Sequence, residues 1–292
     1  MLENQAQVSV IIVTYNSSAV IENALRSITR QAEVAECFVV DNASTDNTLE
    51  LIEKHFPQVK IIKNSKNLGF GVANNQALEI ICTPYALLLN PDADLAKGAL
   101  PELIKTAEAY PDVAIIAPLI VKGDGTIQHS YKRNVFEREK SKDIFSIPEG
   151  DICAEFISGA VLLLKMEHMK KIGFFDPDIF LFYEDDDLCL RTRFAGYSLV
   201  LTPQAKAMHL FGQSSPATAK MIIFKQKHMA WSRFYLERKY NGGAAGRKLV
   251  LKILLISGIK TIIYCLLFKK QRRIRHYARF IAASKFLCGK NC

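Results

Sequence analysis

Two stretches of this chain gather donor groups at spacings that suit chemistry. Asn90-Pro91-Asp92-Ala93-Asp94 follows directly on the apolar run Ala86-Leu87-Leu88-Leu89. Two carboxylates one residue apart repel each other unless a cation lies between them, and hard oxygen donors of this kind suit Mg2+ or Mn2+. Further on, Glu184-Asp185-Asp186-Asp187 stands behind the aromatic run Phe180-Leu181-Phe182-Tyr183 and opens a helical pattern. A helix amino end stabilises acids, but four exceed what capping requires. A carboxylate there, partly desolvated by an apolar wall, is suited to take a proton from a hydroxyl. Lys206-Ala207-Met208-His209 ends a strand-like segment with a histidine that offers a third metal ligand. Each feature alone also has an ordinary reading as a solvated turn, a helix cap or a packed histidine.

The elements that must position these groups are legible in the apolar pattern. Residues 8–15 form a β-branched run that stops at Asn16-Ser17-Ser18, and a helical pattern follows over Val20, Ile21, Ala24, Leu25 and Ile28. Strand Cys37–Asp41, helix Thr48–His55, strand Val59–Ile62, helix Gly71–Ile81 and strand Tyr85–Leu89 continue the alternation. Strands alternating with helices predict a parallel sheet covered on both faces, with ligands beyond the carboxyl ends of its strands. Those ends carry Thr14-Tyr15-Asn16, Asp41-Asn42-Ala43-Ser44-Thr45-Asp46, Asn64 to Gly71 and Asn90 to Asp94, a hydrogen-bonding rim suited to a nucleotide. Gly69 and Gly71 read as turn glycines, because no G-x-G-x-x-G follows a strand there. After a helix and strand over 97–117, residues 118–150 are irregular and polar and read as a flap on the acceptor side. Glu155–Leu164, which carries Ser158-Gly159-Ala160, resumes as a strand, and Glu167–Ile172 is a short helix.

Charge divides the chain. The net charge is +9, from 38 basic and 29 acidic residues. Residues 218–292 hold 18 of those bases and the single acid Glu237, which leaves 20 bases against 28 acids in the first 217 residues. Basic charge confined to an apolar tail points to an anionic membrane surface and away from nucleic acid. Residues 217–240 read as a helix broken at Gly242-Gly243. Leu249–Phe268 is then a 20-residue apolar run, long enough to span a bilayer, interrupted by Lys252 and Lys260 and basic at both flanks. That pattern favours a helix lying in the interface, with a spanning helix or an oligomer contact as the alternatives. Seven scattered cysteines without a C-x-x-C pair predict a reduced protein with no disulfide framework and no zinc site. No basic stretch, apolar core and cleavage site open the chain, so no secretory leader is expected.

Taken in order, Val10-Ile11-Ile12-Val13-Thr14-Tyr15-Asn16, Val39-Val40-Asp41-Asn42-Ala43-Ser44-Thr45-Asp46, Asn67-Leu68-Gly69-Phe70 with Asn75, Asn90-Pro91-Asp92-Ala93-Asp94, and Phe182-Tyr183-Glu184-Asp185-x-Asp187-Leu188-x-x-Arg191 followed by His209-x-x-Gly212-x-Ser214 resemble the family 2 inverting glycosyltransferases. Within that family they are most similar to the bacterial rhamnosyltransferase branch. The resemblance covers about residues 8–240. It implies an α/β GT-A fold with a Rossmann-like nucleotide-binding sheet that is mixed at its centre, spanning 1–216, with a nucleotide half over 1–95 and an acceptor half over 96–216. Residues 217–292 would form a helical, membrane-associating region.

By the same resemblance, Thr14, Tyr15, Asn16, Asp41, Asn67, Gly69 and Asn75 would hold the base and ribose of a nucleoside diphosphate sugar. Asp92 would contact ribose or metal, and Asp94 with His209 would bind Mg2+ or Mn2+ on the diphosphate. Asp185 would be the catalytic base. Ser158, Gly159, Glu184, Asp187 and Arg191 would lie on the acceptor side. Asp186 stands where the family often has a hydrophobic residue, which leaves two neighbouring acids for the role of base. The expected reaction moves L-rhamnose from dTDP-rhamnose to a hydroxyl of a lipid-linked saccharide in cell-surface polysaccharide synthesis, at the cytoplasmic face of the bacterial inner membrane. A homo-oligomer formed through the C-terminal helices is a further expectation. The rivals are a UDP- or GDP-sugar donor, a sugar nucleotidyltransferase, and a membrane-anchored nucleotide-sugar binder without catalysis.

Overall fold

Strand β1 (Val8–Thr14) is buried along its whole length, so it must be covered on both sides. Alternation sends Val8, Val10 and Ile12 into one apolar layer and Ile11 and Val13 into the other. The computed structural model describes residues 7–29, 31–138, 147–210 and 218–289. After β1 come α1 (Ile21–Ile28), β2 (Val34–Asp41), α2 (Thr48–His55), β3 (Lys60–Lys63), α3 (Phe70–Leu78), β4 (Tyr85–Leu89), β5 (Ala93–Leu95), α4 (Ala99–Ala109) and β6 (Val113–Lys122). The short strands β7 (Tyr131–Lys132), β8 (Ile152–Cys153) and β9 (Phe156–Ile157) precede β10 (Val161–Lys165), α5 (Met166–Ile172), α6 (Glu184–Phe194) and β11 (Ser198–His209). Helices α7 (Ala219–Leu266) and α8 (Lys270–Leu287) close the chain.

The main sheet runs β3-β2-β1-β4-β10-β6-β11-β5, with β8 paired to β11. Its first four strands are parallel, as the alternating pattern predicts. Beyond β4 the sheet is mixed, as the resemblance implies: β10 is antiparallel to both β4 and β6, and β5 and β8 are antiparallel to β11. A strand buried on both faces is uniformly apolar whichever way it runs, so direction leaves no mark on its composition. Glu155–Leu164 is not one strand. Ser158-Gly159-Ala160 turns between β9, which pairs with β7 in a separate two-stranded sheet, and β10 in the main one.

Two compact units divide the chain. The first comprises Met1–Asp176 and Asp185–Ser214 and contains the sheet; the second comprises Pro177–Glu184 and Ser215–Cys292 and contains α7 and α8. In the first, α1, α2 and α4 pack on one face of the sheet, and α3, α5 and α6 on the other. In the second, Phe234 and Val250 of α7 are buried with Ala282 and Ala283 of α8. The break read at Gly242-Gly243 is a kink at Gly242, whose φ of 88° and ψ of 167° interrupt α7 without ending it. Helix α7 is long and apolar enough to cross a membrane, with a mean hydropathy of 2.1 over a window that is only 11% buried. Leu251, Leu255, Ile259, Ile262 and Leu266 are exposed at helical spacing, one apolar stripe along its second half.

Candidate active site

The carboxyl ends of β1 and β2 lie side by side, with Thr14 in register with Asp41. Both are buried. Asp41 Oδ2 accepts the Ser44 N–H at 3.0 Å, but Oδ1, like the Thr14 hydroxyl oxygen, has no hydrogen-bond partner. A buried carboxylate oxygen left this way is incomplete until a donor reaches it. The neighbouring loops are held open by their own bonds. Asn16 adopts φ 54° and accepts the Thr45 N–H at 2.7 Å, while Ala43 stands at φ 64°, a position that strains a non-glycine residue. Asn42 donates to the Gly69 carbonyl at 3.1 Å and accepts from Asn64 and Leu68, so one side chain ties the loops after β2 and β3 together. Asn67 closes a tight turn onto the Gly69 N–H at 2.9 Å, and Gly69 takes φ 88°. Tyr15 stands exposed at the rim.

The turn after β4 brings in the second group. Asp92 and His209 are both buried, with Asp92 Oδ1 3.1 Å from His209 Nε2, and Gln128 Oε1 lies 3.2 Å from the other ring nitrogen. Asp94 does not join them. On β5 it pairs with Met208 while Ala93 pairs with His209, and successive residues of a strand point to opposite faces. Asp94 instead lines a pocket of about 260 Å³ with Asn23, Arg26, Ser27, Gln31 and Lys97, where burial raises its pKa above the ordinary carboxylate value. Asp92 reaches His209 because it lies in the turn, before strand alternation begins. Among the described residues no three His, Cys, Asp or Glu side chains converge as a complete metal cage. Of the expected set Asp92, Asp94 and His209, the structure brings Asp92 and His209 together and places Asp94 on the opposite face of β5.

The same turn leads to the acid run. The Asn90 N–H donates to the Ala160 carbonyl at 2.9 Å, and the Gly159 N–H donates to Asp185 Oδ2 at 3.1 Å, so Ser158-Gly159-Ala160 stands between the loop after β4 and Asp185. Ser158 fixes this turn through its backbone, donating to the Ser130 carbonyl at 2.7 Å. Burial raises the Asp185 pKa; the N–H groups of Gly159 and Asp186, and the Arg138 charge, oppose that shift without cancelling it. Its neighbours are committed elsewhere. Asp186 takes both oxygens to the Arg138 guanidinium, at 2.8 and 2.7 Å, and Asp187 is fully buried against Arg191 Nε at 2.8 Å.

Two residues expected at the site serve the scaffold instead. Asn75 donates to the Phe175 carbonyl at 2.8 Å and accepts the Phe175 N–H at 3.0 Å, which uses both ends of its amide. Arg191 spreads over the carbonyls of Ile172, Gly173 and Phe174 as well as Asp187. Together they clamp 172–175, against which Gly71 packs so closely that a Cβ would come within 2.8 Å of Phe175 Cβ. Glu184 is buried at the start of α6. Gly212 and Ser214 lie outside the described residues, as does 139–146 of the expected flap. Three site residues escaped the sequence reading as side chains with a role: Asn42, Gln128 and Arg138. Asn42 sat visibly in a strand-end loop, whereas Gln128 and Arg138 lie in the irregular segment and carried no local signal.

Known proteins are similar to this chain in sequence and in fold. The model of Glycosyl transferase family 2 matches residues 9–171, a span that contains Asp41, Asp92 and Gly159 and ends before Asp185 and His209. The N-acetylglucosaminyl-diphospho-decaprenol L-rhamnosyltransferase of Mycobacterium tuberculosis is 25% identical over 279 residues, covering 82% of this chain and 90% of that protein. Rhamnosyltransferase WbbL of Escherichia coli is 25% identical over 221 residues, covering 69% and 83%. Among solved structures, the mannosyltransferase PcManGT of Pyrobaculum calidifontis, in complex with GDP-Man and Mn2+, aligns with a TM-score of 0.58 at 17% identity over 98% of this chain and 88% of that one. S. aureus TarS 1-349 aligns with a TM-score of 0.55 at 16% identity, over 97% and 92%. The mixed sheet is that of the GT-A fold.

Proposed function

This chain belongs to Glycosyl transferase family 2, and from that membership we propose a metal-dependent inverting enzyme that moves L-rhamnose from dTDP-rhamnose to a hydroxyl of a lipid-linked saccharide. That the protein is a glycosyltransferase follows from the family; donor, acceptor and metal are the proposal. The observation that carries it is the division of labour in the acid run. Of its three aspartates, Asp186 is bound by Arg138 and Asp187 by Arg191, which leaves Asp185, half-buried and with a raised pKa, to accept a proton.

In the proposed step the acceptor hydroxyl oxygen bonds to the anomeric carbon as its proton passes to Asp185. The bond from that carbon to the diphosphate breaks on the opposite face and its electron pair leaves with the diphosphate, so the configuration inverts. Asp41 Oδ1 would take the ring N–H of the base, an edge that thymine, uracil and guanine all offer, and Thr14 and the Asn42-tied loops would enclose base and ribose. Asp92 and His209, an oxygen and a nitrogen donor held 3.1 Å apart at the turn after β4, would hold Mg2+ or Mn2+, which would neutralise charge on the leaving diphosphate. Gln128 would orient the His209 ring.

Two relatives named as rhamnosyltransferases support the sugar, and the name of the mycobacterial protein, with its decaprenol-linked substrate, supports a lipid-linked acceptor. The basic second unit, with its exposed apolar stripe, supports peripheral attachment to an anionic membrane at the cytoplasmic face of the inner membrane. A thermal-shift screen of nucleoside diphosphates and nucleotide sugars, with and without Mn2+ or Mg2+, tests the reading. Metal-dependent stabilisation by dTDP or dTDP-rhamnose is expected. Preference for UDP or GDP would move the donor, and no response to any nucleotide would overturn the assignment of this edge.

A further inference from the structure

Asp186 stands buried next to the proposed base, where an unpaired charge is costly. Its partner comes from the irregular segment after β7. Arg138 Nη2 donates to both Asp186 oxygens, at 2.8 and 2.7 Å, and the approach of that guanidinium is built from several contacts. Its carbon lies 4.9 Å from the centroid of the Phe156 ring, which sets its plane. The Arg138 backbone N–H donates to the Asn134 carbonyl at 3.1 Å, and Asn134 donates its own N–H and its side-chain amide to Glu155 Oε2 at 3.0 and 2.6 Å. Lys132 pairs with Phe156 between β7 and β9, so the turn that carries Arg138 is tied to the strand leading into Gly159. Asp185 meanwhile is held through N–H groups: Oδ2 accepts from Gly159 at 3.1 Å and Oδ1 from Asp186 at 3.0 Å. A carboxylate has about four acceptor positions, so some remain for a hydroxyl. All of these residues belong to the sheet unit.

We propose that Arg138 and Asp186 act as one neutral positioning unit for the base: Asp186 keeps the guanidinium off Asp185, and the guanidinium cancels the charge that Asp186 would otherwise set beside it. Either group alone would interfere. A bare Asp186 carboxylate repels a second negative charge on Asp185, and a guanidinium released from Asp186 would bond to Asp185 and occupy the oxygens that receive the hydroxyl proton. Arg138 is thereby a positioning residue, supplied by the same irregular segment that brings Gln128 to His209. This rests on the reading of Asp185 as base.

The test uses the full chain in detergent, carrying isotope-labelled aspartate, with Arg138→Gln, Asp186→Asn, the double variant and Asp185→Asn. The Asp185 carboxyl resonance, assigned by its absence from Asp185→Asn, gives a titration midpoint without substrate; turnover of dTDP-rhamnose with a lipid-linked saccharide gives kcat beside it. The charged groups facing Asp185 are Arg138 and Asp186; the Cys189 thiol, also near, stays neutral because burial raises its pKa. Arg138→Gln should raise the midpoint by about one pH unit or more, and Asp186→Asn should lower it by a similar amount, as a nearby charge of either sign requires. Each should lower kcat at pH 7 about tenfold. The double variant removes both charges and leaves two amides, so the midpoint and most of the rate should return. Asp186→Asn keeps the shape and an oxygen for Arg138, so its downward shift carries the test alone if Arg138→Gln does not fold. A structural pair alone would lower Tm and leave every midpoint in place, and that result overturns the proposal. Shifts of one sign in both single variants, or a folded double variant as slow as either, overturn it too. If Asp185→Asn turns over normally, the base reading fails and this proposal with it; an inactive Asp185→Asn beside unmoved midpoints removes the neutral unit alone.

Discussion

A carboxylate kept half-buried with a raised pKa trades stability for function, and Asp185 makes that trade measurable. Its folded pKa lies above the unfolded one, so its contribution to stability is fully present below the unfolded value and is lost as pH rises through the folded value. At neutral pH the ionised group therefore weighs against the native state. Asp185→Asn should raise Tm at pH 7 by a few degrees, with the gain vanishing near pH 4, while kcat falls by about 10² to 10⁴ and donor binding persists. Scanning calorimetry at the two pH values, beside a turnover assay, checks both halves. Asp41 should act on binding rather than on turnover. Asp41→Ala removes the partnerless buried oxygen, so nucleotide affinity by titration calorimetry should fall about tenfold or more, with a smaller change in kcat.

Among the elements, α6 serves two purposes along one helix. Its first turn presents Asp185, and one turn later Arg191 reaches back to Asp187 and out to the carbonyls that end α5. Arg191 was expected on the acceptor side, but its guanidinium bonds to Asp187 and to the carbonyls of Ile172, Gly173 and Phe174, all of them scaffold. Arg191→Ala leaves the fully buried Asp187 without this partner, so the unfolding free energy in urea should fall by about 3 kcal/mol, while the folded fraction keeps its affinity for nucleotide. A weakened acceptor KM without loss of stability would return Arg191 to the acceptor side. Gly71 makes a related point about α3: a methyl group there meets Phe175, and Gly71→Ala should cost about 1–3 kcal/mol by crowding, read in the same urea series.

Across the whole molecule, charge and hydropathy are partitioned between the units. The acidic part carries the sheet and its donor groups; the basic part carries an apolar stripe on α7 that the described residues leave exposed, followed by Lys269, Lys270, Arg272, Arg273 and Arg275. Basic residues near an anionic bilayer contribute about 1 kcal/mol each and are screened by salt. The full chain should co-sediment with vesicles containing phosphatidylglycerol far more than with neutral ones, and should release as salt rises. Replacing those five residues by Gln should weaken the anionic preference by several hundredfold or more. Equal binding to neutral vesicles would assign attachment to the apolar stripe alone.

Sequence by itself settled what is local. The β-branched run 8–14 had to be a buried strand, the loops after β1, β2 and β4 had to gather polar groups, and the tail had to be basic and apolar, because composition and periodicity are properties of neighbouring residues. The kinds of donor group at each strand end were legible for the same reason. Tertiary structure decided pairing. Asp92 meets His209 across 117 positions and Arg138 meets Asp186 across 48, and neither contact leaves a trace in the residues beside it. Strand direction beyond β4, the turning of Asp94 away from His209, and the use of Asn75 and Arg191 as clamps depend likewise on register and on what lies across the sheet. How the three aspartates of the acid run are held was also decided by the fold: Arg138, 48 positions away, binds Asp186, and the Gly159 N–H meets Asp185, whereas the Arg191–Asp187 pair lies within one helix turn.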